Sequence, residues 1–289
     1  MRQKKDKITP IITAFLSLFS ISILIFMLWF IFRESLPSIN AVGIKELLFG
    51  SRWQPINTQI HYYGIRNMLL STIYVSALAV IIAFVIGTGC AVFLTVDVSK
   101  RQRELLLPAI ELLAGIPSVV YGFIGLAVVV RLFELLGMSA GESVLAGAIV
   151  LSLMLLPYVI SSSCNTMVKV KNKFLASSEA LGVSKWYMAS RLILPSSLKG
   201  ILVSIVLATG RAMGETMAVM MVMGNAISAP SLLGKGETLS SLIALEMGAA
   251  ELGSTHFSAL YFAGLTLMVL LVAINIIFFL LDKFLLEDK

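Results

Sequence analysis

The chain alternates between long apolar segments and shorter polar ones, and the apolar segments have the length of membrane-spanning helices. About 20 apolar residues in an α-helix are enough to cross the hydrocarbon core of a bilayer. We therefore predict an all-α, polytopic membrane protein with six transmembrane helices. The predicted spans cover residues 8–32, 67–95, 105–133, 143–163, 196–224 and 257–281.

Two of the connecting segments have a helical pattern of their own. Residues 165–195 are too polar to span a membrane and contain a helix-like piece from Ala176 to Leu194. Residues 225–256 begin with turn-forming residues and continue with a helix-like piece from Thr238 to Leu252. We expect the second piece to be a short helix packed at the outer mouth of the protein.

The composition agrees with a membrane protein and changes how the charge is interpreted. Of the 289 residues, 58% are hydrophobic and 13% are charged, whereas a soluble domain has about a quarter of its residues charged. The net charge of +6 is also typical of nucleic-acid binding. Here the basic residues lie in short loops between apolar segments, so they indicate membrane topology and no nucleic-acid partner.

The distribution of Lys and Arg orients the chain in the membrane. Most of them fall on one side when the N-terminus is placed in the cytoplasm, and the even number of spans then places both termini there. The first apolar segment is longer than a signal-peptide core, so we predict a retained helix. Residues 1–66 form a tail, the first span and an outer loop, residues 67–282 form a core of five spans, and residues 283–289 form a second tail.

The side chains needed for catalysis or metal binding are scarce. His61 and His256 lie outside the apolar segments and are predicted to be solvated, and Cys90 and Cys164 have no metal-binding spacing. The chain has neither a phosphate-binding loop of the GxxxxGK[ST] type nor a plausible catalytic triad. We predict a non-enzymatic chain without a metal or a cofactor.

A charged pair inside the fifth apolar segment is the strongest functional signal. An arginine at the centre of a bilayer costs about 3 to 17 kcal/mol, and Arg211 is about 24 Å along a helix from Pro195. Glu215 follows at i+4, on the same face of a continuous helix. The pair is either a self-neutralising structural pair or an anion contact in a pathway, with Glu215 orienting Arg211. A guanidinium suits the second interpretation because its N–H groups match paired oxyanion oxygens.

Small residues and a proline predict how the spans pack around this pair. Gly210 and Gly214 have the GxxxG spacing that lets two membrane helices approach closely. Pro117 lies within the third segment and is predicted to kink that helix. Glu111, in the same segment, is expected to have a structural partner near the inner membrane interface.

The inner connecting segment contains a recognisable pattern around Gly182. A glycine can end a helix in the left-handed conformation, and Pro195 can occupy the first turn of the next one. The residues Glu179, Ala180, Gly182, Leu194 and Pro195 resemble the "EAA" loop of ABC-importer permeases, in which a glycine precedes a Leu-Pro at a fixed distance. The acidic position of that motif is Ala176 in this chain. The resemblance implies that the loop at 165–195 docks on a separate ATPase subunit.

Two further stretches, 111–122 and 211–219, resemble the phosphate ABC-importer permease family, and the Tyr63-Gly64 segment favours its PstC type. The resemblance implies a type I ABC-importer permease fold in the bacterial cytoplasmic (inner) membrane. Besides the lipid bilayer, it implies four protein partners. They are a homologous PstA-type permease, two PstB-type ATPase subunits that bind the ATP, and an extracytoplasmic PstS-type phosphate-binding protein.

Other functions remain open on the residues alone. Sulfate and molybdate are tetrahedral oxyanions like phosphate, and one arginine serves any of them. A self-sufficient ion-coupled carrier or an anion channel also accommodates intramembrane charge, although it needs no ATPase-docking loop. In a third alternative, a scaffold or sensor subunit, the charged pair is purely structural.

Overall fold

Helices make up most of the chain, whose computed structural model describes residues 2–56 and 60–286. Two short strands pair antiparallel between the first and third helices. The helix Ser118–Leu135 and the helix Lys185–Ser196 each contain a π-helical turn. The elements are α1 (Arg2–Val42), α2 (Ile44–Phe49), β1 (Trp53–Gln54), β2 (Tyr62–Tyr63), α3 (Arg66–Val96), α4 (Lys100–Leu113), α5 (Ser118–Leu135), α6 (Val144–Ala180), α7 (Lys185–Ser196), α8 (Leu198–Gly214), α9 (Met217–Val222), α10 (Leu239–Glu246) and α11 (Thr255–Leu286).

The predicted number of spans is confirmed within the described residues. Five helices are long and apolar enough to cross a membrane, and the bent pair α7 and α8 makes a sixth span when it is counted as one. The predicted spans 67–95 and 257–281 agree closely with Arg66–Val96 and Thr255–Leu280. Of the predicted tail at 283–289, residues 283–286 belong to α11, and the last three residues lie outside the described part.

The third apolar segment is broken, so the prediction of one kinked helix over 105–133 was wrong. Helix α4 ends at Leu113, and Pro117 occupies the position just before α5. Proline has no N–H group, and its ring collides with the carbonyl group four residues earlier, which here belongs to Leu113. The spanning part is α5, and every residue of α4 is at least partly exposed.

The inner connecting segment is largely a continuation of the fourth span. Helix α6 has 37 residues, so it is about 55 Å long and extends well beyond a hydrocarbon core of about 30 Å. It ends at Ala180, and a turn through residues 181–184 leads to α7. The helix-like piece predicted from Ala176 to Leu194 is thus divided between two helices, on either side of the glycine that was predicted to end a helix. The axes of α7 and α8 meet at 60° beside Ser197.

The packed centre of the molecule lies where α3, α6 and α8 meet. Small and β-branched side chains predominate there, which lets the helices approach closely. Glycines contribute as well, since a Cβ on Gly87 would press against Val159. The buried residues of this cluster include Val75, Ala79, Ala83, Val144, Ala148, Leu151, Leu155, Val159, Ala208 and Ala212.

A second buried cluster fixes the segment between α1 and α3 against α10 and α11. Its members include Leu47, Trp53, Ile65, Leu239 and Leu260. We call this cluster and its hairpin the outer lobe. Gly50 and Gly64 lie in backbone contact within it, and a Cβ on Gly64 would overlap the backbone of Gly50. The glycine at position 64 is therefore a steric requirement of the fold.

Candidate functional site

Arg211 lies on the last turn of α8, and its side chain rests on an aromatic ring of α6. The guanidinium carbon is 4.6 Å from the centroid of the Tyr158 ring. A cation over the face of a tyrosine is stabilised by about 0.5 to 2 kcal/mol, depending on its exposure to water. Arg211 is exposed, and none of the salt bridges among the described residues involves its guanidinium.

One tyrosine hydroxyl joins this region to the break between α4 and α5, and another spans the break itself. The Tyr158 hydroxyl donates to the Ala114 carbonyl oxygen at 3.4 Å, and the Tyr121 hydroxyl donates to the Leu113 carbonyl oxygen at 2.9 Å. Pro117 cannot give the Leu113 carbonyl oxygen its i+4 hydrogen bond, and that oxygen accepts from the Ile116 N–H at 3.2 Å as well as from Tyr121. The broken segment is thus tied to the ring that supports Arg211.

Glu215 does not pair with Arg211 in this conformation, so the predicted orienting role is not observed. Helix α8 ends at Gly214, and Glu215 has an extended backbone with ψ of 127°, which removes the i, i+4 relationship. Its Oε1 instead accepts from the Ala218 N–H at 3.3 Å, and its carbonyl oxygen accepts from the Ser240 hydroxyl at 2.9 Å. These contacts replace helical hydrogen bonds at the break. Among the described residues, no salt bridge joins Glu215 to a cation.

The two glycines of the predicted helix interface face open space in the single chain. A Cβ added to Gly210 or Gly214 would meet nothing within 4 Å outside its own helix. No other described helix therefore covers them. Their predicted role against another subunit stays a prediction, and the face that carries them is free.

Glu111 is held from the same helix that carries Tyr158. The Ser161 hydroxyl of α6 donates to Glu111 Oε1, and the Asn165 amide donates to Ser161 Oγ at 3.5 Å. Ser161 lies three residues beyond Tyr158, on the same side of α6. Glu111 is exposed at the end of this polar series.

The predicted docking loop is a tight turn at the basic end of the molecule, by which we mean the end with Lys169, Lys171 and Lys173. Gly182 has φ of +63°, the left-handed conformation predicted for it. Its N–H donates to the Glu179 carbonyl oxygen at 3.1 Å, and Ser184 caps the start of α7. Pro195 lies in the last, three-residue helical segment of α7, which precedes the bend.

Large apolar side chains surround this turn without being covered. Leu181 is 79% exposed, Trp186 59% and Tyr187 57%. Exposed aromatic and aliphatic side chains in contact with water are typical of a protein–protein contact surface. Glu179 and Ala180 are exposed beside them. Ala176, at the motif's acidic position, supplies no charge.

The opposite end contains a buried polar cluster that the sequence did not indicate. His256 is only 8% exposed, so the prediction that it is solvated was wrong. Its Nε2 lies 2.7 Å from Glu246 Oε2, and the Trp53 indole N–H donates to the same carboxylate at 2.9 Å. Glu237 is buried nearby without a partner for Oε2. Burial, reinforced by the Glu246 charge, raises the Glu237 pKa from 4.5 to about 8.

The functional contact that sequence reasoning missed is Tyr158. It follows Pro157 in an apolar stretch, where a tyrosine is a common core residue. The sequence showed only that Tyr158 lies on the fourth span. That this span packs beside Arg211 depends on contacts between distant parts of the chain.

Up to six spans, an exposed cation on the last turn of α8 and a structured, uncovered turn at the basic end are the features of a membrane permease that works with other subunits. The chain belongs to the family of inner membrane components of binding-protein-dependent transport systems, whose family model matches residues 83–287.

Relatives of known type cover most of the chain. It is 35% identical to the probable ABC transporter permease protein YqgH of Bacillus subtilis over 249 residues, which is 86% of this chain and 79% of the relative. It is 31% identical to the phosphate transport system permease protein PstC of Xylella fastidiosa over 287 residues (91% and 85%). A PstC of Mesorhizobium japonicum is 33% identical over 261 residues (83% and 78%). The resemblance predicted from the motifs is confirmed.

The fold has counterparts among solved structures. An inward-facing structure of the MetNI methionine ABC transporter superposes with a TM-score of 0.57 and 15% identity, covering 74% of this chain and 92% of the other. A second crystal form gives the same TM-score. The ABC-importer permease fold predicted from the sequence is thereby confirmed.

Proposed function

We propose that this chain is the transmembrane permease subunit of an ATP-driven phosphate importer and forms half of its translocation pathway. The observation that carries the proposal is Arg211: an exposed guanidinium on the last turn of α8, to which no salt bridge among the described residues is made, in a chain similar to PstC proteins over most of its length.

The chemistry of the site suits a transient contact with an oxyanion. A guanidinium presents two parallel N–H donors to two phosphate oxygens. The Tyr158 ring supports the cation without neutralising it. A single arginine on an open face holds the anion weakly, which a transporter needs because it must release its substrate. High-affinity capture then belongs to the external binding protein.

The open surfaces of the chain match the partners of such a complex. The face around Gly210 and Gly214 is free for a second, PstA-type permease, whose matching helix would complete the pathway beside Arg211. The exposed turn at Gly182 is free for a PstB-type ATPase, which binds the ATP. A PstS-type phosphate-binding protein would dock at the opposite end. The chain itself catalyses nothing and holds no cofactor.

Localisation follows from the same proposal. With the ATPase at the Gly182 turn, the basic end lies in the cytoplasm and the outer lobe faces away from it. Both termini are then cytoplasmic, and the protein is a multi-pass component of the bacterial inner membrane.

The test is uptake in bacterial cells that lack this chain and carry it again on a plasmid. Labelled phosphate, sulfate and molybdate are offered separately. We expect the wild type to restore phosphate uptake and Arg211→Ala to abolish it, while the complex still assembles. Arg131→Ala is the matched control because Arg131 forms an exposed pair with Glu134 at 2.7 Å, away from Arg211.

Three results would contradict the proposal. Restoration of sulfate or molybdate uptake alone would assign another oxyanion. Full phosphate uptake by Arg211→Ala would return Arg211 to a structural role. Purification of the chain as an uptake-competent protein without any ATPase would favour a self-sufficient carrier.

A further inference from the structure

A cavity of about 660 Å³ opens at the basic end, beside the Gly182 turn. It lies where the end of α3 and the start of α4 meet the last turns of α6 and the start of α7. Six charged side chains line it, four cationic and two acidic. They are Lys100, Arg103, Lys171, Lys185, Asp97 and Glu179.

Three of the cations come from three different helices and lack a carboxylate partner. Arg103 belongs to α4, Lys171 to α6 and Lys185 to α7. Among the described residues, no carboxylate oxygen lies within 4.0 Å of their side-chain nitrogens. Lys171 Nζ donates to the Thr95 carbonyl oxygen at 2.6 Å, which places its ammonium group at the cavity wall. Like charges gathered in this way repel one another unless an anion joins them.

The remaining cavity wall also favours a negative charge. Helix α4 has 14 residues and begins at the cavity, with Ser99 as its N-cap. The N-terminus of a helix carries a partial positive charge. Ser99 and the Asn172 amide add polar groups to the same wall. The acidic residues Asp97 and Glu179 are exposed, as are Lys100 and Lys185, and the four cations outnumber the two carboxylates of the lining, which leaves it positive.

We propose that this cavity binds a phosphate-type oxyanion, either free inorganic phosphate or the phosphate group of an anionic lipid. The arginine offers a paired set of donors, and the two lysines offer point charges on flexible stems. The volume holds a phosphate with several waters, since a liquid water occupies about 30 Å³. An apolar ligand would leave the net positive charge of the lining unmatched, and a cation would add to it.

Occupancy would connect the docking turn to the spans. A ligand held by Arg103, Lys171 and Lys185 joins α4 and α6 to the first residue of α7, three residues after Gly182. The turn then moves less freely relative to α6. This consequence rests on the proposed function: in a phosphate importer, phosphate accumulated in the cytoplasm would bind here and restrain the coupling of ATP hydrolysis to transport.

The experiment uses the full chain in lipid nanodiscs, in an Arg211→Ala background that removes the pathway contact. Radiolabelled inorganic phosphate is titrated in discs of neutral phosphatidylcholine. In a second arm, discs contain phosphatidylglycerol, and thermal unfolding is followed. The test variants are Arg103→Gln and Lys185→Gln. Lys173→Gln is the matched control, because Lys173 is exposed on α6 and does not line the cavity.

If free phosphate is the ligand, we expect saturable binding in neutral discs that weakens at least tenfold in both test variants and is unchanged in the control. If a lipid is the ligand, we expect no phosphate binding but a rise in unfolding temperature with phosphatidylglycerol, which the test variants lose and the control keeps. Identical behaviour of test and control variants in both arms would overturn the proposal. Because transport is not measured, failure here is distinct from failure of the proposed function.

Discussion

The Arg211 guanidinium lies over the Tyr158 ring, 4.6 Å from its centroid, and this contact joins the last turn of α8 to α6. The ring is a partner that leaves the cation charged and its donors free. A carboxylate partner would have occupied those donors. The Tyr158 ring therefore stabilises the Arg211 charge without neutralising it.

Replacing the ring should weaken transport without dismantling the complex. Tyr158→Leu removes a cation–π contact of about 1 kcal/mol, so we expect phosphate uptake to fall about fivefold. Tyr158→Phe keeps the ring and loses only the 3.4 Å hydrogen bond to Ala114, and it should transport nearly as well as the wild type. Initial uptake rates, normalised to assembled complex, provide the measurement. Equal loss in both variants would show that the hydroxyl matters and the ring does not.

Gly182 should tolerate only residues that adopt a positive φ. Its φ of +63° is incompatible with proline, which is fixed near −65°, whereas asparagine enters the left-handed region more readily than most residues. A Cβ there meets nothing within 4 Å, so the effect is conformational and not steric. We expect Gly182→Pro to leave ATP hydrolysis but abolish phosphate uptake, and Gly182→Asn to retain both. Coupled transport by Gly182→Pro would remove the turn from the coupling mechanism.

Gly64 should be irreplaceable in the outer lobe. A methyl group at this position overlaps the backbone of Gly50, and overpacking of this kind costs about 1 to 3 kcal/mol. We expect Gly64→Ala to lower the unfolding temperature of the purified chain. Gly89→Ala is the control, since a Cβ on Gly89 of α3 meets nothing within 4 Å. An unchanged unfolding temperature in Gly64→Ala would mean that the hairpin moves aside.

The buried Glu237 should make stability depend on pH. Its pKa is about 8 in the folded chain, against an ordinary value of 4.5. Between these two pH values the folded state keeps a proton that the unfolded chain loses. Stability from this group is complete below about pH 4.5 and is lost as the pH rises through 8. The unfolding temperature of the wild type should therefore fall as the pH is raised from 6 to 9. The neighbouring ionisable groups are Glu246 and His256.

Glu237→Gln should flatten that pH profile, because an amide does not titrate in this range. Glu251→Gln, at an exposed loop position, should leave the profile as steep as in the wild type. An equally steep profile in Glu237→Gln would mean that the pH dependence does not come from Glu237.

The features that could be predicted from the sequence are those set by local pattern, whereas those set by contacts between distant residues could not be predicted. Apolar length located the second and sixth spans within a few residues, and the glycine at 182 predicted its own backbone conformation. Pro117 was noticed, but whether a proline kinks or ends a helix depends on partners such as Tyr121, whose hydroxyl donates to the Leu113 carbonyl oxygen. The i, i+4 spacing of Arg211 and Glu215 assumed a continuous helix. That helix ends at Gly214, where Ser240, 25 residues further along the chain, binds the Glu215 carbonyl oxygen.

Helix α6 has the properties of a lever. It carries Tyr158 near its middle and ends two residues before Gly182, about 33 Å further along its axis. Pro157, next to Tyr158, provides a local weak point in an otherwise continuous rod. A tilt of about 10° around that point would displace the docking end by about 6 Å, given the helix rise, while the ring under Arg211 barely moves. In the proposed importer, such a ratio would convert a large displacement at the docking turn into a small one at Arg211.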